Sequence, residues 1–171
     1  MRQDFLDFFD SEYARLVRFV MYTGASLEDA RDAAQQMALQ GWRKVLEECW
    51  DQVADPAAWA RAVALNHHRA QHRNRSQVPL GEGIDPPASG PGHAELTGQA
   101  HDMVTLLRSL DADCRAVIAF DLDGFSGADI ADALGIPQRK VLDLRAKARK
   151  HLKQHPCITS IIGRERRTTS G

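Results

Sequence analysis

Residues 138–153 contain seven Lys or Arg side chains and one acidic side chain, Asp143. Lys and Arg at this density are suited to neutralising phosphate groups. On a helical wheel the apolar residues share one narrow stripe, made of Val141, Leu144, Ala148 and Leu152. The opposite side carries Arg139, Lys140, Asp143, Ala146, Lys147 and Lys150. One apolar stripe and one basic face allow a helix to pack on a partner helix and enter a DNA major groove.

A second basic segment, residues 61–75, contains no acid. Its basic residues are Arg61, Arg69, Arg73 and Arg75, accompanied by His67, His68 and His72. Trp59 and Asn66 share a stripe of the same predicted helix. Trp and Asn beside arginines suit unstacked bases and backbone phosphates, so this segment is a candidate for single-stranded DNA.

A third group of polar residues recurs at helical steps within residues 27–45 and predicts one shared, partly acidic face. Its members are Asp29, Asp32, Gln35, Gln36 and Leu39. A solvated face and a protein-binding face both fit this pattern.

Enzymatic chemistry has little support in the sequence. His68 and His72 are four residues apart and could share a metal, but no Glu or Cys lies nearby to complete the site. No nucleophile–base pattern or phosphate-cradling glycine loop is found. We therefore predict no enzymatic activity, no bound metal and no cofactor.

The elements that must position the first basic face form a predicted helix-turn-helix at residues 125–153. Ser126 and Asp129 have the spacing of a capping box at a helix start. Gly135 can end that helix in the left-handed conformation, and Ile136-Pro137 starts the next helix after about three residues. A basic face on an ordinary three-helix bundle is the alternative, but the caps and the short turn favour DNA binding.

Other helix signals cover most of the chain. Ser26 can cap a helix over 27–45, and Asp55-Pro56 can start a helix that runs to about Arg75. Three further helices are predicted near 99–109, 111–122 and 126–134, and the basic one over 137–153. No stretch alternates at period two for long enough to be a strand, so the predicted fold class is all-α.

Composition divides the chain into four parts. Residues 77–98 hold four of the seven prolines, five of the twelve glycines and three acids without a Lys or Arg, which predicts an acidic flexible linker. It separates a helical domain at 1–76 from a helix-turn-helix domain at 99–153, and the tail 154–171 is expected to be disordered. The formal net charge of −1 is therefore a cancellation between basic helices and an acidic background.

The predicted cellular location depends on the absence of membrane-spanning and secretory patterns from the sequence. No apolar run is long enough to span a bilayer, and the first residues do not resemble a secretory signal. Three widely spaced cysteines form no C-x-x-C pair, which favours a reduced protein. We predict a cytoplasmic protein without membrane insertion.

Two motifs, in order, resemble those of bacterial RNA polymerase sigma factors of the extracytoplasmic-function (ECF) class. The family's region 2 reads approximately D-A-E-D-L-V-Q-E-x-F-L-R-A-W, followed by W-x6-N. Matching residues here are Asp29, Ala30, Asp32, Gln35, Leu39, Trp42, Trp59 and Asn66. Gln36, Ala33, Ala34, Ala38 and Gln40 depart from the pattern.

The family's region 4 reads approximately G-x-S-x-x-E-I-A-x-x-L-G-I, then V and R-A-R. Matching residues are Gly124, Ser126, Asp129, Ile130, Ala131, Leu134, Gly135, Ile136, Val141, Lys147, Ala148 and Arg149. After Val141 the family often has K-S-R-L, whereas this chain has Leu142, Asp143, Leu144 and Arg145, so Leu stands at two positions that are usually basic.

The resemblance implies a protein that binds core RNA polymerase and directs it to promoters. Region 2 would bind the clamp helices of the largest subunit through Asp29, Asp32, Gln35, Gln36 and Leu39. It would melt and capture the −10 element through the loop 46–55 and through Trp42, Asp51, Arg61, Asn66, Arg69 and Arg73. Region 4 would contact the polymerase flap region and read the −35 element through Gln138, Arg139, Lys140, Asp143, Lys147 and Lys150. An anti-sigma factor is a further partner that the resemblance suggests.

The alternative is a helix-turn-helix repressor or activator that binds duplex DNA without polymerase. Residues 1–76 would then serve as a dimerisation or effector domain. This alternative explains the helix-turn-helix but not the region 2 register.

Overall fold

The computed structural model describes residues 1–77 and 98–154. Within these ranges the chain is helical, with one 3-10 turn and no strand, which confirms the predicted all-α class. The helices are α1 (Arg2–Tyr22), α2 (Leu27–Leu46), α3 (Pro56–Gln77), α4 (Gly98–Arg108), α5 (Ala112–Leu122), α6 (Gly127–Leu134) and α7 (Gln138–Lys153), with the 3-10 turn at Trp50–Gln52.

Side-chain caps start several helices where the sequence predicts them. Ser26 Oγ accepts a hydrogen bond from the backbone N–H of Asp29 at 3.1 Å. Asp55 Oδ1 accepts from Ala58 N at 2.9 Å, which fixes the first turn of α3. Each cap satisfies an N–H that the helix itself leaves without a partner.

The turn of the helix-turn-helix has the predicted geometry. Ser126 Oγ accepts from Asp129 N at 3.2 Å and Asp129 Oδ2 accepts from Ser126 N at 2.9 Å, so the capping box of α6 is complete. Gly135 ends α6 with φ +63°, the left-handed conformation that glycine adopts without a Cβ penalty. Residues 135–137 then connect α6 to α7.

The N-terminal helices form a three-helix group in which α1 packs on α2 and α3, and α2 packs on α3. Small residues line the contact between α2 and α3, where Ala30, Ala33, Ala34, Ala60 and Ala64 are fully buried. Without long side chains between them, the two helices can approach closely. In the C-terminal half, α7 packs on α5 and α6 through buried Val141, Leu144 and Ala148.

The two halves share one hydrophobic core. α1 contacts α4 and α5, and α3 contacts α6. The rings of Phe19 and Phe120 are both fully buried and meet edge to face, with centroids 4.8 Å apart. The sequence predicts two helical parts but gives no indication that they pack against each other.

The predicted linker and tail fall mostly outside the described residues. Of the linker 77–98, Gln77 ends α3 and Gly98 begins α4. Of the tail 154–171, the described part is Gln154. The four-part domain division therefore stays a prediction.

Candidate nucleic-acid interface

The exposed face of α7 collects every residue predicted to read duplex DNA. Gln138, Arg139, Lys140, Asp143, Lys147 and Lys150 are all exposed. The opposite stripe is buried at Val141, Leu144 and Ala148, and Leu152 is half-buried. The amphipathic pattern thus produces the basic outer face that the sequence predicts.

Two ion pairs hold α7 on α5 from its flanks. Arg145 Nε lies 3.0 Å from both carboxylate oxygens of Asp121, and its Nη2 also contacts that carboxylate. Lys147 Nζ lies 2.8 Å from Asp111 Oδ2, although 68% of the Lys147 side chain is exposed. These pairs fix the rotation of α7 about its own axis, so the same residues stay outermost.

Asp111 has a second role, since it also caps α5. Its Oδ1 accepts from Cys114 N at 2.9 Å. That backbone hydrogen bond, together with the Lys147 ammonium, lowers the pKa of Asp111 to about 2. Burial raises the pKa of the neighbouring Cys114 thiol to about 11, and the thiol donates to Leu144 O at 3.5 Å. Cys114 is therefore a packing residue and is not poised to react at neutral pH.

The loop 46–55, predicted to face the −10 element, borders an open cleft of about 380 Å³. The cleft is lined by Lys44, Cys49, Gln52, Val53, Ala54, Asp55 and Trp59. Trp59 forms its aromatic wall, packs edge to face on Trp50 at 5.7 Å, and has Lys44 Nζ 5.8 Å from its ring centroid. A ring beside an ammonium offers stacking and charge to one nucleotide.

Lys44 is a cleft residue that the sequence does not predict, because it lies near the C-terminus of α2 and outside both basic segments. Its distance of only a few residues from the loop was the available signal. Of the residues predicted for −10 DNA, Asp51, Asn66 and Arg73 are exposed but do not line the cleft. Trp42 is half-buried against Phe5, with ring centroids 6.2 Å apart.

Arg61 is not at the surface of the described structure. It is 3% exposed, its Nε lies 2.6 Å from Asp123 Oδ2, and its Nη1 lies 3.0 Å from Glu12 Oε2. Its guanidinium also lies 5.0 Å from the centroid of Phe125. Arg61 therefore joins the two halves of the molecule, and in this arrangement it is closed off from DNA.

Arg18 and Arg69 extend this contact between the halves. Arg18 Nη2 lies 3.3 Å from Asp123 Oδ1, and Arg69 Nη2 lies 3.3 Å from Asp113 Oδ1. Two of the residues predicted for −10 DNA, Arg61 and Arg69, thus engage carboxylates of the C-terminal half. Their role toward DNA stays a prediction that requires the halves to separate.

The polar face of α2 is partly exposed, with Asp29 and Gln36 half-buried, Gln35 exposed and Leu39 53% exposed. Asp32 is tied to α3, because its Oδ2 accepts from Gln71 Nε2 at 2.6 Å and lies 2.9 Å from His67 Nε2. The hydrogen bond to His67, supported by that from Gln71, lowers the pKa of Asp32. This face therefore presents a carboxylate held in one orientation and, two turns further along α2, an exposed apolar side chain.

The described residues contain no group of three or more His, Cys, Asp or Glu side chains arranged to hold a metal. None of the helices in the same ranges is long and apolar enough to cross a membrane.

Comparison with known proteins gives a family match over part of the chain and a similar fold over most of it. Residues 100–152 match the family described as sigma-70, region 4. A search of curated proteins found no match. Among solved structures, the chain is similar to the sigma factor RpoE of Bartonella quintana, determined in complex with the anti-sigma factor NepR. The two are 22% identical with a TM-score of 0.63, and the match covers 86% of this chain and 95% of the other.

Proposed function

We propose that this chain is a sigma factor of the ECF class and that its surfaces divide the work of promoter recognition. The proposal is supported by the match of residues 100–152 to sigma-70 region 4 and by the fold that the chain shares with a solved sigma factor. The protein binds core RNA polymerase and directs it to promoters. The observation that carries this function is the complete helix-turn-helix, whose outer helix turns a basic face to solvent.

In our proposal α7 enters the major groove of the −35 element. Recognition helices contact base edges through their N-terminal residues, which here are Gln138, Arg139 and Lys140. Lys150, about three turns further along, is placed for backbone phosphates. Phosphate contacts position the helix, and base contacts specify the sequence.

The cleft beside the loop 46–55 is our candidate for single-stranded −10 DNA. Trp59 supplies a ring for stacking and Lys44 a charge, while Asn66 and Arg73 are exposed on the same helix as Trp59. The α2 face around Asp32 and Leu39 is our candidate for the polymerase clamp.

The packed halves must separate to contact both elements. The names of the −10 and −35 elements place them about 25 base pairs apart, or about 85 Å at 3.4 Å per pair. A compact fold of this size spans less than about 45 Å. A 22-residue linker extends to at most about 75 Å, which together with the two halves is enough to reach. Polymerase, by holding both halves, raises the effective concentration of each at its element.

Three further assignments complete the proposal. We propose that the chain catalyses nothing itself, that it acts in the cytoplasm, and that an anti-sigma factor is among its partners. The last is supported by the partner of the similar sigma factor RpoE.

The decisive experiment is run-off transcription with core polymerase plus the purified chain on genomic templates. We expect discrete start sites that require the chain. No transcript, together with tight binding of the isolated protein to a palindromic duplex, would instead favour a conventional repressor or activator.

The clamp assignment has its own test, a pull-down of core polymerase by Asp32→Ala. We expect about tenfold weaker assembly, the scale of an interface hot spot. Asp10→Ala, at an exposed carboxylate of α1, is the matched control and should assemble normally. Unchanged assembly of Asp32→Ala would remove this face from the polymerase interface.

A further inference from the structure

Leu142 is a large apolar side chain at the edge of the basic face of α7. It is 57% exposed, whereas Val141 beside it is fully buried. Leu142 is the fifth residue of α7, in its second turn. A leucine gains stability from burial, and this position leaves more than half of the leucine surface exposed in the described part of the chain. Its apolar surface is therefore available to whatever binds this face.

The neighbours of Leu142 indicate what that partner is. Arg139 and Ala146 lie three residues before and four residues after it, on the same side of the helix, and both are exposed. Arg149, one turn further, and Lys150 extend the basic border around it. An apolar side chain between exposed arginines matches a polyanion that displays an apolar group between its phosphates.

The major groove of DNA displays one such group on its base edges, the C5-methyl of thymine. Ala146 is small, so the helix can approach the groove floor close to Leu142. The ion pairs of Arg145 with Asp121 and of Lys147 with Asp111 hold the rotation of α7 that directs Leu142 outward.

We propose that Leu142 is a specificity-determining residue that packs on the methyl group of a thymine in the upstream promoter element. This inference rests on the proposed function, since it requires α7 to lie in the major groove of that element. It assigns an A·T base pair to the position opposite the second turn of α7. The preference for thymine at that position then depends on its methyl group alone.

The experiment uses holoenzyme assembled from core polymerase and the full chain. The upstream element is first obtained by selecting bound duplexes from a library randomised at that element. Each thymine of the selected element is then replaced in turn by deoxyuridine, which removes only the C5-methyl. Binding is measured for the wild type and for Leu142→Ala.

For the wild type we expect about fourfold weaker binding at one or two thymines, the loss that corresponds to one buried methyl group. Leu142→Ala should bind the thymine and deoxyuridine duplexes equally well. Leu122→Ala is the matched control, because Leu122 is 45% exposed but lies at the end of α5, and it should keep the wild-type response. Circular dichroism checks that each variant is folded.

Three results would overturn the proposal. They are a wild type that is insensitive to every deoxyuridine, a Leu142→Ala variant that keeps the wild-type sensitivity, and a selected element without an A·T pair. All three leave the sigma-factor function intact, because they are read on a holoenzyme that already binds its promoter. If no promoter is selected at all, the proposed function fails and this inference fails with it.

Discussion

The two basic helices, α3 and α7, differ in what their charges do in the described structure. On α3, Arg61 is buried against Asp123 and Glu12, and Arg69 contacts Asp113. On α7, Arg139, Lys140 and Lys150 are exposed. In sequence both segments are comparable phosphate-binding candidates. The fold uses α3 to join the two halves, whereas the outer face of α7 stays exposed and Lys147 is its one predicted DNA-binding cation with an ion pair to a described carboxylate, Asp111.

This difference suggests an order of events. In our proposal, the α7 face assigned to the −35 element is available while the halves are packed, whereas Arg61 becomes available to DNA only once its carboxylate partners have moved away. The two halves therefore differ in what promoter binding demands of them.

The largest expected effect comes from breaking the buried pair through Asp123→Ala. The Asp123 side chain is 2% exposed and Arg61 3%, so the substitution leaves a buried guanidinium without one of its two carboxylates. Removing one partner of a buried pair costs about 3–5 kcal/mol, because the remaining charge is left uncompensated. Urea denaturation of the free chain at pH 7 measures the free energy of unfolding.

Asp132→Ala, at an exposed carboxylate of α6, is the control and should change the free energy of unfolding little. If the two variants lost the same free energy of unfolding, the buried pair of Asp123 with Arg61 of α3 would contribute no more than an exposed carboxylate. The contrast between α3 and α7 would then fail.

The second effect is on DNA binding through α7. Arg139→Ala should weaken holoenzyme binding to its promoter about tenfold, the scale of one lost base contact. Filter binding or fluorescence anisotropy measures it. Arg15→Ala is the matched control, because this arginine is 65% exposed on α1 and far from α7 in sequence. Equal binding by both variants would contradict the assignment of the exposed α7 face to DNA.

The third effect concerns the anchor of α7. Asp111→Ala removes the cap of α5 and the partner of Lys147, and should lower the free energy of unfolding at pH 7 by about 1 kcal/mol. Folding depresses the pKa of Asp111 from 3.8 to about 2. The stabilisation is therefore fully present above about pH 4 and is lost as the pH falls through about 2.

Denaturation curves from pH 7 to pH 2 should show the wild type and Asp111→Ala converging at the acid end. A difference between them that grows toward low pH would contradict the assigned direction of the pKa shift.

The smallest effect tests the exposed contact between the halves. Arg69 and Asp113 are 32% and 68% exposed at their side chains, so solvent screens their attraction. Arg69→Ala should lower the free energy of unfolding by about 0.5 kcal/mol or less, and 1 M salt should abolish the difference. If Arg69→Ala lowered the free energy of unfolding as much as Asp123→Ala, burial would not determine how strongly these two contacts stabilise the fold.

Much of the fold was predictable because it depends on local patterns. Ser26, Asp55 and the Ser126–Asp129 box mark helix starts through bonds to residues three positions away. Gly135 marks a helix end through its own backbone. The 3-10 turn at Trp50–Gln52 was predicted as part of a loop, because three residues carry no periodic signal.

The site was predictable where it depends on one helix. The exposed face of α7 follows from the 3.6-residue period of Val141, Leu144 and Ala148. Lys147 was predicted for the same face, but its pairing with Asp111 was not, because the two residues come from different helices.

The sequence by itself determined which segments are helical, where they are capped and which face of the helix-turn-helix is basic. The tertiary structure decided which charges remain exposed. Arg61 and Asp123 are 62 residues apart, and no spacing rule relates them. Their pairing follows from the packing of Phe19 on Phe120, which brings the halves together and excludes water around the two charges. A basic residue in the sequence is therefore only a candidate for binding DNA. The tertiary structure shows whether its charge is already paired with a carboxylate.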